Sequence, residues 1–275
     1  MQDLLDGPLL LAGAGKMGGA MLTGWLAGGL PAGKVVVQDP GPPPEIAALL
    51  SQHGIASHQS VADVLDQEPA VLLMAVKPQV MDDVFPPLAK LAGKNTLVLS
   101  VAAGRTMAGF EAQLPTGTAV VRSIPNTPAA IGRGITVCVA NANVTSAQRA
   151  ICDRLLSSIG EVGWVDDEDL IDVATAVSGS GPAYVFLLAE CLAAAGVDAG
   201  LTPELAARLA DATVSGSGEL IRQSDDPPST LRENVTSPNG TTYAALQILM
   251  ADTGMAPLMS RAVAAATARS RELAG

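Results

Sequence analysis

The sequence predicts an α/β protein: a doubly wound, mostly parallel sheet first, then a second domain built only of helices. Three observations carry that expectation. Short apolar runs alternate with helical stretches through residues 1–165, a glycine-rich turn joins the first run to the first helical stretch, and after about Asp166 the strand signals stop. Alternation of strand and helix is the pattern of a parallel sheet covered on both faces. The expected domains are therefore 1–165 and 166–275, and a chain of 275 residues is long for a single core.

In chain order, Leu9–Ala12, Val35–Val37, Val71–Val76, Thr96–Val101, Val120–Ser123 and Gly134–Val139 read as buried strands, with Gly163–Val165 closing the domain. Between them Met17–Ala27, Pro44–His53, Val61–Leu65, Val80–Leu91, Thr106–Gln113 and Ser146–Ser158 read as helices. Gly41–Pro44 is a stiff loop after the second strand. Beyond Asp166, Leu170–Val177, Pro182–Ala195, Pro203–Gln223, Thr242–Ala251 and Met255–Leu273 read as helices. Thr202-Pro203-Glu204 is a good start for one of them, a capping hydroxyl followed by Pro at the first helical position. Ala183–Ala195 shows no polar face, so it is expected to be buried on all sides, with a second subunit supplying the cover.

Composition narrows the function. A net charge of −11 argues against a nucleic-acid partner, which needs clustered Lys and Arg. The three cysteines, Cys138, Cys152 and Cys191, are far apart with no His beside them. They form no metal pattern and no even disulfide set, which favours ordinary thiols in a reducing compartment. No signal peptide is visible, and Ala183–Val197 is short for a membrane span and carries Glu190. A cytoplasmic protein with neither membrane nor metal partner is expected.

The chemistry is written in loops. Leu11-Ala12-Gly13-Ala14-Gly15-Lys16-Met17-Gly18 follows a strand and opens a helix, the context in which GxGxxG binds a dinucleotide on a Rossmann-type fold. Gly13 makes the tight turn, Gly15 lets the backbone approach a pyrophosphate, and Gly18 permits close helix–strand packing. Asp39 ends the second strand where an acidic residue grips the ribose of NADH, and the position equally suits a surface Asp before Pro40. Lys77, in Met74-Ala75-Val76-Lys77-Pro78-Gln79, stands at a strand end where ligands bind in such sheets; a solvated Lys is the plainer reading. Ser100-Val101-Ala102-Ala103-Gly104 leaves room for a nicotinamide ring, and Arg122-Ser123-Ile124-Pro125-Asn126-Thr127-Pro128 makes a rigid loop. In the helical half, Ser178–Tyr184 opens a helix, and Asn234–Thr242 runs as a loop into another. Consecutive amides and hydroxyls there suit either a bound carboxylate or simple helix capping. There is no Lys beyond Lys94 and no His beyond His58. Alcohol dehydrogenases usually need such a group, whereas a C=N substrate, far more basic than a carbonyl, relaxes the demand.

Taken together, these blocks resemble the pyrroline-5-carboxylate reductases along essentially the whole chain. The most specific stretch is Asn234–Thr242, similar to the family's Ser-Pro-Gly-Gly-Thr-Thr loop. The resemblance implies reduction of 1-pyrroline-5-carboxylate to L-proline with NADPH or NADH, the last step of proline biosynthesis. It implies a Rossmann domain and a helical domain that interleaves with a partner as a homodimer, often assembled further into a homodecamer. Gly240, Thr241 and Thr242 would hold the substrate carboxylate, with the Thr242 hydroxyl facing the ring nitrogen as the catalytic contact, and Asn234 would touch the substrate. Ala12, Gly13, Ala14, Gly15, Lys16, Met17 and Gly18, then Ala75, Val76, Lys77 and Pro78, then Val101, Ala102 and Ala103 would line the cofactor. The departures are Lys16 for the usual Asn or Gln, Asn239 for the first paired Gly, and Gln59 near the adenine edge. Asp39 departs too and leaves the cofactor choice open. A β-hydroxyacid dehydrogenase would need a Lys in the helical domain, and a redox sensor would not need Asn234–Thr242.

Overall fold

The computed structural model describes residues 4–274 and divides the chain into two compact units. The first runs to Gly179 and also takes Thr267 onward; the second is Ser180–Ala266.

Among the described residues of the first unit, eight strands form one sheet: β1 (Leu9–Ala12), β2 (Val35–Gln38), β3 (Ser57–His58), β4 (Val71–Met74), β5 (Leu97–Ser100), β6 (Ala119–Ile124), β7 (Gly134–Ala140) and β8 (Gly160–Trp164). Their order is β3-β2-β1-β4-β5-β6-β7-β8. Every pairing is parallel except β6 with β7, whose short connection leaves no room for a crossover helix. The edge strand β3 is only two residues long and has no hydrophobic run to betray it. The order reverses between β1 and β4, which opens a crevice at the carboxyl ends of those two strands.

Strand side chains alternate between two cores. Leu9, Leu11, Leu73 and Leu99 face one layer, covered by α1 (Lys16–Ala27), α2 (Pro44–His53) and the helix Ser146–Leu156 through Trp25, Ile46 and Leu155. Leu10, Leu72, Met74 and Val98 face the other, covered by α3 (Met81–Ala89) and α4 (Met107–Glu111). There Phe85 and Phe110 meet edge to face with centroids 5.1 Å apart. The helix α5 (Ser146–Leu156) starts on a capping box between Thr145 and Gln148. Its Leu155 carbonyl accepts the Trp25 indole N–H at 2.8 Å, locking α1 to α5.

The helix α6 (Asp169–Ala174) belongs to the first unit, although the loss of strand signal at Asp166 assigns it to the helical domain. Ile171 is fully buried in the second layer. Glu168 pairs with the buried Arg122 of β6 and accepts the Met107 amide at 2.7 Å. Ser270, in the returning C-terminal segment, donates to Asp172 at 2.6 Å. One turn of π-helix, Thr175–Gly179, follows.

The second unit holds α7 (Gly181–Asp198), α8 (Pro203–Gln223), α9 (Pro228–Asn234), α10 (Thr241–Leu249) and most of α11 (Met255–Ala274). Thr202 caps α8 as its sequence indicates. Here α7 and α8 approach closely because Gly196 has no side chain: a Cβ there would lie 3.3 Å from that of Ala206. The single chain by itself does not cover Ala183–Ala195, the helix for which a second subunit is the expected cover. No residue of α7 is buried, Phe186 is 62% exposed, and in this unit only Ala206 and Ala210 are buried among the described residues. The membrane-span length also needs correction: Asp169–Asp198 is one helical run of 30 residues that contains an 18-residue window of mean hydropathy 1.5, long and apolar enough to cross a bilayer. The π turn joins two stretches that the sequence reading keeps apart.

Arg122 is buried while Glu168 is 32% exposed, so removing Glu168 strands a buried charge. Glu168→Ala should therefore cost about 3 kcal/mol in urea unfolding. A loss below about 0.5 kcal/mol would mean that Arg122 is satisfied without Glu168.

Candidate active site

The glycine turn lies at the β1–β4 crevice. Gly13 has φ +92°, open to glycine and strained for other residues, and its Cα sits so near the next loop that a Cβ would be 2.8 Å from the Ala75 carbonyl oxygen. Gly18 packs against the Gly13 carbonyl so tightly that no side chain fits. Gly15, at the N-cap of α1, has nothing within 4 Å of where a Cβ would lie. Two of these glycines are required by packing and the third by open space, which is what a phosphate group approaching the backbone needs. The dinucleotide expectation fits these residues. Ala12 and Ala14 are buried around the turn, Met17 is half-buried, and Lys16 extends into solvent from the first turn of α1.

The neighbouring loops complete this end of the sheet. Ala75 and Val76 are half-buried, and the Ala75 amide donates to Ala12 at 2.8 Å. Lys77 is exposed and caps the short 3-10 turn begun by Pro78. Val101 and Ala102 are buried while Ala103 is exposed; the Ala102 amide donates to Ser100 Oγ, and Ser123 donates to the Ser100 carbonyl. Sequence reasoning missed Arg105. Its guanidinium pairs with Asp82 at 2.6 Å and donates to the Pro78 carbonyl at 3.0 Å, tying the loop after β4 to the loop after β5. That contact holds the Asp82 carboxyl below the ordinary carboxylate range. A lone charge in a loop carries no sequence signal for such a clamp. Asn126 links two further blocks: its side chain donates to the Ser178 carbonyl at 3.1 Å and accepts the Ile135 amide at 2.9 Å.

Asp39 is half-buried at the end of β2, and its carboxylate turns onto the glycine loop rather than to solvent. Its Oδ2 accepts the Ala14 amide at 2.7 Å, and its Oδ1 accepts the Gly41 amide at 2.8 Å. Gln59 is exposed beyond β3, and its carbonyl accepts the Gln38 side chain at 3.3 Å.

The second unit carries the Asn234–Thr242 segment. Asn234 is the last residue of α9 and not part of the loop, a helix the sequence reading overlooked behind its Asp-Pro-Pro start. Asn239 takes φ +59°, the left-handed turn that Asn accepts more readily than most residues. A Cβ on Gly240 would collide with the Ser237 hydroxyl oxygen, so a larger residue would require that hydroxyl to turn aside. Ala244 is the first amide to bond back to Gly240, so the amides of Thr241, Thr242 and Tyr243 point out of the start of α10. Gly240 caps α10 without a side-chain bond, and neither threonine hydroxyl has a partner among the described residues. Capping thus does not consume the two hydroxyls. Thr242 is half-buried and Thr241 exposed.

Among the described residues no group of His, Cys, Asp and Glu is arranged to hold a metal. Cys138 and Cys152 are buried free thiols, the latter pushed up to about 12 by burial, and Cys191 is exposed.

Comparison with known proteins gives concordant results. Residues 168–273 match the profile "Pyrroline-5-carboxylate reductase dimerisation", and residues 9–104 match "NADP oxidoreductase coenzyme F420-dependent". A pyrroline-5-carboxylate reductase of Pseudomonas aeruginosa is 41% identical over 262 residues, 95% of each chain. The solved pyrroline-5-carboxylate reductase of Coxiella burnetii superposes with TM-score 0.89 at 31% identity, over 98% of this chain and 99% of that one. The Plasmodium falciparum enzyme, solved with NADP bound, gives TM-score 0.80 at 27% identity over 98% and 99%.

The glycine geometry separates binding from folding. Gly15→Val should leave the melting temperature nearly unchanged and weaken binding of a reduced nicotinamide dinucleotide by roughly ten-fold or more, followed by fluorescence titration. Gly18→Ala should instead lower the melting temperature, because the Gly13 carbonyl has nowhere to move. Equal behaviour of the two variants would contradict this division.

Proposed function

The chain belongs to the pyrroline-5-carboxylate reductase family, and from that premise we propose how its own residues act. It is an NAD(P)H-dependent enzyme that reduces 1-pyrroline-5-carboxylate to L-proline, the last step of proline biosynthesis. The observation that carries this is the 41% identity to a pyrroline-5-carboxylate reductase over 95% of both chains. When bound, the reduced nicotinamide supplies a hydride to the ring carbon of the C=N bond, while the ring nitrogen carries the proton.

In this reading the turn from Ala12 to Gly18 and the loops Ala75–Pro78 and Val101–Ala103 receive the dinucleotide. The amides of Thr241 and Thr242 take the substrate carboxylate, helped by the positive end of the α10 dipole. Asn234 and Gly240 shape the approach. A threonine hydroxyl is a hydrogen-bond donor and acceptor rather than an acid at neutral pH. Thr242 accordingly orients and polarises the imine nitrogen and does not deliver a free proton; solvent equilibrium protonates the basic imine. Among the described residues the Thr242 hydroxyl has no hydrogen-bond partner, which is consistent with that role.

We further infer a homodimer built through the second unit. An apolar unit with two buried alanines cannot be stable by itself, and the match to a dimerisation profile across 168–273 points the same way. The same cover accounts for the apolar run Asp169–Asp198 without a membrane. The free thiols suit the cytoplasm, where reduced nicotinamide dinucleotides are found.

Thr242→Ala should lower kcat/KM by roughly ten- to a thousand-fold, about 1.4–4 kcal/mol, with little change in cofactor Kd, and Thr242→Ser should recover much of the rate. If the alanine variant keeps full activity, or if its loss follows cofactor affinity, Thr242 is not the substrate contact. Sedimentation at micromolar concentration should show at least a dimer; an active, stable monomer would overturn the interface.

A further inference from the structure

The loop beyond β2 has a property that the family reading does not supply: its backbone has almost no free hydrogen-bond donors. Residues 40–44 are Pro-Gly-Pro-Pro-Pro. Proline has no N–H, so this loop offers one backbone donor, the Gly41 amide. Asp39 Oδ1 already takes it at 2.8 Å. On the adjoining β3, the Ser57 hydroxyl donates to the Asp39 carbonyl at 3.1 Å, and the Asp39 amide is spent on the His58 carbonyl at 2.9 Å. Charge is equally unfavourable: between Lys34 and Lys77 the sequence has no Lys or Arg.

The carboxylate cannot turn aside. Its two oxygens are held by two amides from different segments, Ala14 of the glycine loop and Gly41 of the proline loop. An ionised carboxylate accepts about four hydrogen bonds, so these two contacts leave about one site on each oxygen. Two free acceptor sites match the two hydroxyls of a ribose. They repel a phosphate, which would bring further negative charge and demand donors that the proline loop lacks.

We propose that Asp39 and the proline loop make this enzyme select NADH over NADPH by excluding the 2′-phosphate. Selectivity comes from a built-in repulsive element rather than from an added attraction. The inference rests on the reductase reading. It goes beyond it, because the family comparison includes an NADP-bound relative and leaves the choice of dinucleotide open.

The test is binding without turnover. Tryptophan-quenching or calorimetric titration of the full-length protein with NADH and NADPH, and with 5′-AMP and adenosine 2′,5′-bisphosphate as probes lacking nicotinamide, gives two ratios of Kd. Both should favour the form without a 2′-phosphate by about ten-fold or more. Asp39→Asn removes the charge and keeps an oxygen to accept one of the two amides. It should bring both ratios to within about three-fold, with NADPH gaining affinity, while the melting temperature shows that the glycine loop is intact. Asp39→Ser should shift the ratios the same way. Equal or tighter binding of NADPH to the unaltered protein, or ratios untouched by Asp39→Asn, overturns the proposal and leaves the reductase reading standing. Failure of both dinucleotides to bind would bring down the reductase reading as well.

Discussion

The architecture of the first unit depends on one close approach, the backbone of Gly13 against the start of the loop after β4. A Cβ at Gly13 would collide with the Ala75 carbonyl, and one at Gly18 with Gly13 itself. That contact lets the chain leave β1, turn at a positive φ and enter α1 without a gap. It also presents the Ala14 amide to Asp39, so the end of β2 is tied to the same turn. The loops after β1, β2 and β4 thereby share one rigid corner at the point where the strand order reverses. Arg105 extends the corner by joining the loop after β4 to the loop after β5. A dinucleotide site placed there would rest on a corner held by the protein's own contacts, which lowers the entropy cost of binding.

The second unit obeys the opposite economy. Its helices are apolar enough for a core, yet the single chain buries only Ala206 and Ala210 among its described residues. Gly196 and Ala206 bring α7 and α8 together, and the remaining apolar side chains, Phe186 and Leu187 among them, stay uncovered. Hydrophobic surface on that scale is stable only when a second surface removes it from water. Pairing through this unit would therefore belong to folding as much as to assembly, and the segment carrying Thr241 and Thr242 lies within it.

The sequence alone determined the fold class, the glycine turn, most strand positions and the Asn234–Thr242 block. These depend on local rules: continuous apolar runs bounded by turn residues, proline and glycine geometry, capping chemistry, and residue order along the chain. It could even anticipate the left-handed turn at Asn239, since the tolerance for positive φ is a property of one residue. Tertiary structure alone decided the questions that require two distant segments at once. Asp39 reads in sequence as a ribose contact or a surface acid, and neither reading contains the hydrogen bond its carboxylate accepts from the Ala14 amide, 25 residues away. Helix α6 joined the first unit because Glu168 found Arg122 and Met107, partners 46 and 61 residues distant. Composition showed that α7 needs cover, but only the fold shows that its own chain leaves side chains such as Phe186 and Leu187 exposed. Local chemistry is written residue by residue, whereas partners brought together by folding leave no spacing rule in the sequence to read.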